Sequence, residues 1–321
     1  MPFASEQLMD WPTVDVVIPT LNSESTLSLC LESIRRQKYP GVINIIIIDG
    51  GSNDKTIQIA REFDCDIYVF PKVYSNGTLG ARNISLKLLK GDLYWQIDSD
   101  NIALGTDCLS LLVRPFMDDD SINLAVPYIT WLDGQQPLDK FLSYCELQKI
   151  KEVQQTGRRE LNYTIIGNIT YGITNASLIR RETLVKVGGY DSDIRVLRRM
   201  QSKGLSRGAI VSQAKYIHFQ GENLKKWYQK QLRRIEFYGK FQKKDLNSYF
   251  VDRTYDFRAE QIEGAIKILV YSIMLFREDS SFWYYGFLIL LIYFFILVTH
   301  PLLFFQTFLK FLGKNKDELK A

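Results

Sequence analysis

Along the first hundred residues, unbroken apolar runs alternate with stretches of helical periodicity. Residues 14–19 (VDVVIP) and 44–48 (NIIII) are apolar and β-branched without alternation, the pattern of strands buried on both faces. Residues 66–70 and 93–97 (LYWQI) predict two further strands. Between them, residues 25–36 place Leu27, Leu31 and Ile34 on one helical face, and residues 55–63 and 79–89 read as helices. Strands separated by helices of this length imply an α/β domain with a mostly parallel central sheet, covered on both faces.

The ligand crevice of such a sheet lies at the carboxyl ends of its strands. Three ends here carry small, polar or acidic groups: Thr20-Leu21-Asn22, Asp49-Gly50-Gly51-Ser52 and Asp98-Ser99-Asp100. Their convergence predicts a site. From residue 107 the pattern is mixed, with helices expected at 109–116 and 139–153 and short strands at 124–127, 172–175 and 209–214. Residues 154–160, with Gly157, Arg158 and Arg159, read as a mobile loop.

The end of the chain changes character. Residues 282–299 are 18 positions without a charge, about 27 Å as a helix and close to the roughly 30 Å hydrocarbon core. Trp283, Tyr284 and Tyr285 resemble an interfacial aromatic belt. Residues 302–312, past His300-Pro301, reach only about 16 Å and cannot cross alone. Residues 265–276 suit a surface-lying helix or a core helix. The basic, amphipathic stretch 224–239 is either a solvated face or a contact for anionic lipid or donor phosphates. The expected division is a catalytic domain over 1–245, a juxtamembrane region over 246–281, a membrane-embedded anchor over 282–312 and a polar tail over 313–321.

Composition narrows the class. The chain has 321 residues, 46% hydrophobic and 24% charged, with a net charge of +4. A substantial core is possible, and the charge is too small to argue for nucleic acid. The four cysteines, Cys30, Cys65, Cys108 and Cys145, lie 35 to 43 residues apart, so neither metal spacing nor a disulfide framework is present. Buried free thiols in a reducing compartment are expected. Residues 1–11 lack the basic start and apolar run of a signal peptide. The chain is therefore expected to be an integral membrane protein with its catalytic domain on the cytoplasmic side, where the Asn-X-Ser/Thr sequons at Asn76, Asn83, Asn162, Asn168 and Asn175 carry no glycan.

Asp-X-Asp alone is a poor signal, since the chain also contains Asp64-Cys65-Asp66, Asp118-Asp119-Asp120 and Asp191-Ser192-Asp193. Asp98-Ser99-Asp100 is set apart by following a buried strand at a sheet's carboxyl edge. Two carboxylates there can hold Mg²⁺ or Mn²⁺ by oxygen ligation and bridge it to phosphates.

Residues 16–22 (VVIPTLN), 49–54 (DGGSND), 80–83 (GARN), Gly91-Asp92 and 96–101 (QIDSDN) occur in an order and spacing similar to family 2 glycosyltransferases with the GT-A fold. The likeness continues more loosely through residues 174–189 and His218. The resemblance implies direct displacement with inversion, a nucleoside-diphosphate sugar donor of the UDP or GDP type, and a membrane-held, lipid-linked acceptor. It also implies residue roles. Pro19, Thr20 and Asn22 would line the nucleotide pocket, Asp49 would contact the nucleobase, and Arg82 would help hold the nucleotide. Asp98 and Ser99 would lie near the donor, and Asp98, Asp100 and His218 at the metal. The family's catalytic Glu-Asp pair is altered, because Ser192 precedes Asp193. Even so, Val196, Arg199 and Gly204 follow at the expected offsets of three, six and eleven, so the resemblance implies that Asp193 is the base. A lone Asp at a helix start can also be only a cap.

Three rival readings remain open. The acceptor could be a polyprenyl phosphate, which is already ionised and needs no base, rather than the hydroxyl of a lipid-linked glycan. A sugar nucleotidyltransferase would need a Gly-rich basic phosphate loop where Thr20-Leu21-Asn22-Ser23 stands. A membrane scaffold with a decayed transferase domain would have no reason to retain Asp49, Asp98 and Asp100.

Overall fold

The computed structural model describes residues 10–71, 78–169, 176–190, 193–219 and 221. Strand β1 (Val14–Thr20) is buried along its whole length and is flanked by parallel neighbours β2 (Ile43–Asp49) and β4 (Leu93–Gln96). This is the physical reason for its unbroken apolar run. Its ladder with β4 stops at Val17, so Pro19, which has no N–H to give, falls where only β2 still flanks the strand. Strand β3 (Asp66–Val69) extends the parallel set beyond β2.

The polar exception in β1 is Asp15. It is buried, and its carboxylate accepts from Asn44 Nδ2 at 2.8 Å and from the Lys90 and Gly91 amides at 2.6 and 2.7 Å. The Asp92 carboxylate accepts from the Thr13 amide at 2.8 Å. These bonds fasten the corner before β4 to the start of β1. Gly91 is required there, since a Cβ would lie 2.9 Å from the Thr13 carbonyl oxygen and 3.0 Å from Asp15.

Helix α1 (Leu27–Arg35) buries Leu27, Leu31 and Ile34 completely, on the face its periodicity predicts. Burial of each such side chain contributes about 1.5–3 kcal/mol. Helices α2 (Thr56–Glu62) and α3 (Thr78–Ser85) follow β2 and β3, and α3 ends earlier than the periodicity suggests.

The other half of the sheet is mixed. It contains β5 (Asn101–Ala103), β6 (Leu124–Thr130), β7 (Arg158–Arg159), β8 (Thr164–Ile166), β9 (Leu178–Arg180) and β10 (Gly208–His218). The strand order is β3-β2-β1-β4-β9-β6-β10-β8-β7, with β5 against β10. Strands β6 and β10 are parallel, while β9 runs antiparallel to both β4 and β6. The architecture is thus an α/β fold around one mixed sheet whose first half is wholly parallel. Helix α4 (Cys108–Asp118) precedes β6, helix α5 (Pro137–Gln155) follows it, and α6 (Arg181–Lys186) and α7 (Asp193–Ser202) lie between β9 and β10.

The mobile loop expected over 154–160 is not one. Gln154 lies in the last turn of α5, donating to Thr164 Oγ1 at 3.0 Å and bonding the Tyr128 hydroxyl, and Arg158–Arg159 pair with β8. Gly157 allows this closeness, because a Cβ there would meet Ile166 at 2.4 Å. Cys30, Cys108 and Cys145 are buried and in no disulfide, and Cys65 is half-buried.

Among the described residues the contacts form two units: residues 10–133 with 146–219, and residues 134–145 with Gly221. In the second, the Gly221 amide donates to Asp139 at 2.9 Å. Among the described residues no helix is long and apolar enough to cross a membrane. The expected anchor at 282–312, the regions 246–281 and 313–321, the basic stretch 224–239 and the expected strand at 172–175 lie outside the described residues.

Candidate active site

The loops after β1 and β2 are knotted together by side chains. Thr20 Oγ1 donates to Asp49 Oδ2 at 2.8 Å, and the Ser52 hydroxyl donates to the same oxygen at 2.6 Å. Asp49 Oδ1 accepts from the Gly51 and Ser52 amides at 2.8 and 2.7 Å. Ser52 Oγ also accepts from the Asn22 amide at 2.8 Å, and Asn22 Oδ1 accepts from the Asn53 amide at 3.0 Å. Asn22 has φ of 51° and Gly51 of 93°, left-handed turns that suit Asn and Gly. Asp54 and Glu24 complete the knot: Glu24 N donates to Asp54, and Lys55 N donates to Glu24.

Asp49 is 0% exposed, and an ionised carboxylate has about four lone-pair sites. All four are used within the protein, so the nucleobase contact expected of Asp49 has neither surface nor acceptor capacity to form in this arrangement. Thr20 is buried as well, whereas Asn22 is exposed at the rim.

The Asp98-Ser99-Asp100 turn sits beside this knot. Ser99 Oγ donates to Ser23 Oγ at 3.0 Å, and the Cys30 thiol, on α1, donates to the Asp98 carbonyl oxygen at 3.6 Å. Burial pushes the Cys30 thiol pKa well above its usual value, with the charges of Asp100 and Asp98 adding to it. The turn leads directly into β5, whose Asn101 lies opposite His218 at the end of β10, and the Phe219 amide donates to the Asp100 carbonyl oxygen at 2.7 Å.

This pairing brings His218 Nε2 to 3.3 Å from Asp100 Oδ1. Asp98, Asp100 and His218 each place one ligand atom within 4.8 Å of the others. Two carboxylate oxygens suit Mg²⁺ or Mn²⁺, and an imidazole nitrogen is a ligand that transition metals accept, so the donor set fits a divalent cation. Burial lowers the His218 pKa, but the charge and hydrogen bond of Asp100, followed by Asp98 and Glu146, hold it above the ordinary value.

Arg82, on α3, approaches from the other side. Its guanidinium pairs with Asp98 at 2.6 Å while only 4% exposed, against 22% for Asp98. It lies 5.4 Å from the centre of the Tyr190 ring. Oriented with its oxygen toward the guanidinium, the buried Gln96 amide accepts from both terminal nitrogens of Arg82 at 3.1 Å and from the Tyr190 hydroxyl at 3.0 Å. Tyr190 is held in turn by its loop. Arg199 of α7 donates to the Val187 and Gly189 carbonyl oxygens at 2.6 and 2.7 Å.

Of the residues expected at the site, Thr20, Asn22, Asp49 and Ser99 meet in the linked loops at the carboxyl ends of β1, β2 and β4, with Pro19 just before them in β1. Arg82, Asp98, Asp100 and His218 meet beside them. Asp193 begins α7, but its side chain, and Ser192, lie outside the described residues. No role at the site was expected of Tyr190, Gln96 or Arg199. Tyr190 follows Gly188-Gly189 and Gln96 is a polar residue in an apolar strand, but neither pattern names a partner.

The fold, a mixed and mostly parallel sheet with helices, is of the GT-A type. The chain belongs to the glycosyl transferase family 2, whose profile matches residues 15–188. An N-acetylglucosaminyltransferase of Rhizobium sp. (strain N33) is 34% identical over 137 residues, covering 40% of this chain and 30% of that protein. The Escherichia coli UDP-Glc:alpha-D-GlcNAc-diphosphoundecaprenol beta-1,3-glucosyltransferase WfgD is 34% identical over 95 residues, 29% of this chain and 37% of its own length. The chain thus spans only about a third of these two relatives. The crystal structure of S. aureus TarS 1-349 in complex with UDP shares the fold, with a TM-score of 0.50 at 18% identity over 68% of this chain and 62% of that one.

Proposed function

We propose that this chain is a metal-dependent, inverting glycosyltransferase that moves a sugar from a UDP- or GDP-type donor to the hydroxyl of a lipid-linked glycan at a membrane. The observation that carries this is the gathering of Asp98, Asp100 and His218, with Arg82 on Asp98, at the carboxyl edge of the sheet. The Escherichia coli relative, whose name gives a UDP-sugar donor and a diphosphoundecaprenol-linked acceptor, supports the donor and acceptor classes.

In this reading Pro19, Thr20, Asn22, Arg82 and Ser99 shape the nucleotide pocket, and Asp98, Asp100 and His218 hold Mg²⁺ or Mn²⁺. The bound ion would supply Lewis-acid stabilisation of the charge that grows on the departing diphosphate. Arg82 holds Asp98 in place. Asp193 takes the proton of the acceptor hydroxyl as the new bond forms, and direct displacement inverts the anomeric centre. The uncharged run 282–299 and the apolar stretch after it would hold the chain in the bilayer, with the catalytic domain on the cytoplasmic side.

Asp100→Asn tests this reading. Its melting temperature without ligand should match wild type, while the rise caused by UDP with Mn²⁺ should vanish and turnover of the donor should fall by ~10²-fold or more. Full turnover in EDTA, or in Asp100→Asn, overturns the metal assignment.

A further inference from the structure

The full use of the Asp49 carboxylate points beyond its expected role. Four donors from three residues close on it, at 2.6 to 2.8 Å. One of them, the Ser52 hydroxyl, passes the connection on to the Asn22 amide. Asn22 passes it back to Asn53. The loops after β1 and β2 therefore share a single buried anion as their hub. Such a hub is stable because every acceptor site is matched, and it is costly to disturb for the same reason.

We infer that Asp49 is a positioning residue: its carboxylate locks the two loops into one rim of the nucleotide pocket, and reading of the base falls to other groups. This rests on the proposal that the pocket binds a nucleoside diphosphate. Two consequences separate it from direct base reading. A carboxylate that reads a base accepts from a ring N–H, which uracil has at N3 and cytosine lacks. Removing such a reader narrows the preference between them. Removing a hub weakens both equally.

The experiment is calorimetric titration of the full chain, wild type and Asp49→Asn, with UDP, CDP and GDP in the presence of Mn²⁺. Asn keeps one acceptor oxygen but turns the other position into a donor facing two hydroxyls. Affinity for all three should fall together, on the order of tenfold, with the UDP-to-CDP ratio kept within about twofold. The donor KM should rise while kcat at saturating donor changes by less than about threefold, since the reacting groups are untouched. Ser52→Ala, which removes the relay to Asn22 and leaves the charge, should shift affinities in the same direction by less. Should Asp49→Asn fold poorly, Ser52→Ala carries the comparison. Selective loss of UDP or GDP with CDP unchanged or improved overturns the inference. Unchanged affinities in both variants overturn it too. Wild type binding none of the three overturns the nucleotide reading itself, and the pocket role falls with it.

Discussion

Arg82→Lys keeps the charge beside Asp98 and removes the guanidinium fork. In the wild type the side chain makes three kinds of contact: the 2.6 Å pair with Asp98, the fork onto the Gln96 oxygen and the stacking over Tyr190. A lysine can keep one charge-assisted hydrogen bond, worth about 1.5–3 kcal/mol. It cannot also serve Gln96, whose buried oxygen then loses charged donors at a cost of about 1–3 kcal/mol. Part of the cation–π term, about 0.5–2 kcal/mol, goes as well. Asp98 is 22% exposed, so water repairs some of the loss, and ~2 kcal/mol is the reasoned net. For a domain of this size that lowers the melting temperature by about 4–8 °C. Scanning calorimetry of both proteins without ligand measures it, and titration with UDP and Mn²⁺ should show binding weakened by roughly tenfold. A melting temperature within about 1 °C of wild type, with unchanged UDP affinity, would refute the idea that this cluster holds Asp98.

Two further outcomes follow from geometry and role. Gly189 has φ of 96°, and a Cβ there would lie 2.7 Å from Asn83 Oδ1, whereas Gly188 has φ of 79° and open space. The exposed Asn83 side chain can swing aside, so Gly189→Ala and Gly188→Ala should each cost about 1–3 kcal/mol through backbone strain at positive φ; a melting temperature within about 1 °C of wild type in both variants would rule out that strain. Asp193→Asn retains capping ability, so stability and UDP affinity should hold while transfer to a hydroxyl acceptor falls by ~10²–10⁴-fold. Transfer at the wild-type rate would leave Asp193 as a cap and favour a phosphate acceptor.

The sequence made β1, β2 and β4 legible because these strands are buried in the parallel half of the sheet and carry no alternation. The three polar strand ends followed from that placement. Strand β9 was invisible: three residues inside a mixed polar segment carry no period, and its antiparallel insertion between β4 and β6 is a tertiary choice. Arg158–Arg159 read as a loop for the same reason, since two exposed residues can pair with β8 without any hydrophobic signal. His218 was located by resemblance, but its 3.3 Å approach to Asp100 depends on β5 turning back against β10. Asp49 shows the sharper limit. Residue type indicated an acceptor at a strand end, but which donors consume its lone pairs is decided by two left-handed residues and a neighbouring loop.

The insertion of β9 also has a consequence in time. Strand β4 ends at Gln96 and its second neighbour, β9, begins at Leu178, so about 80 residues are synthesised between them. At ~5–20 residues per second the ribosome needs ~4–16 s to deliver that partner. Throughout that interval β1, β2 and β3 can already be assembled with β4, whose far edge, Leu93-Tyr94-Trp95, is apolar and awaits β9. An open edge of this kind invites strand addition from another chain. The nascent half-sheet is thus exposed to edge-to-edge association until β9 closes on β4.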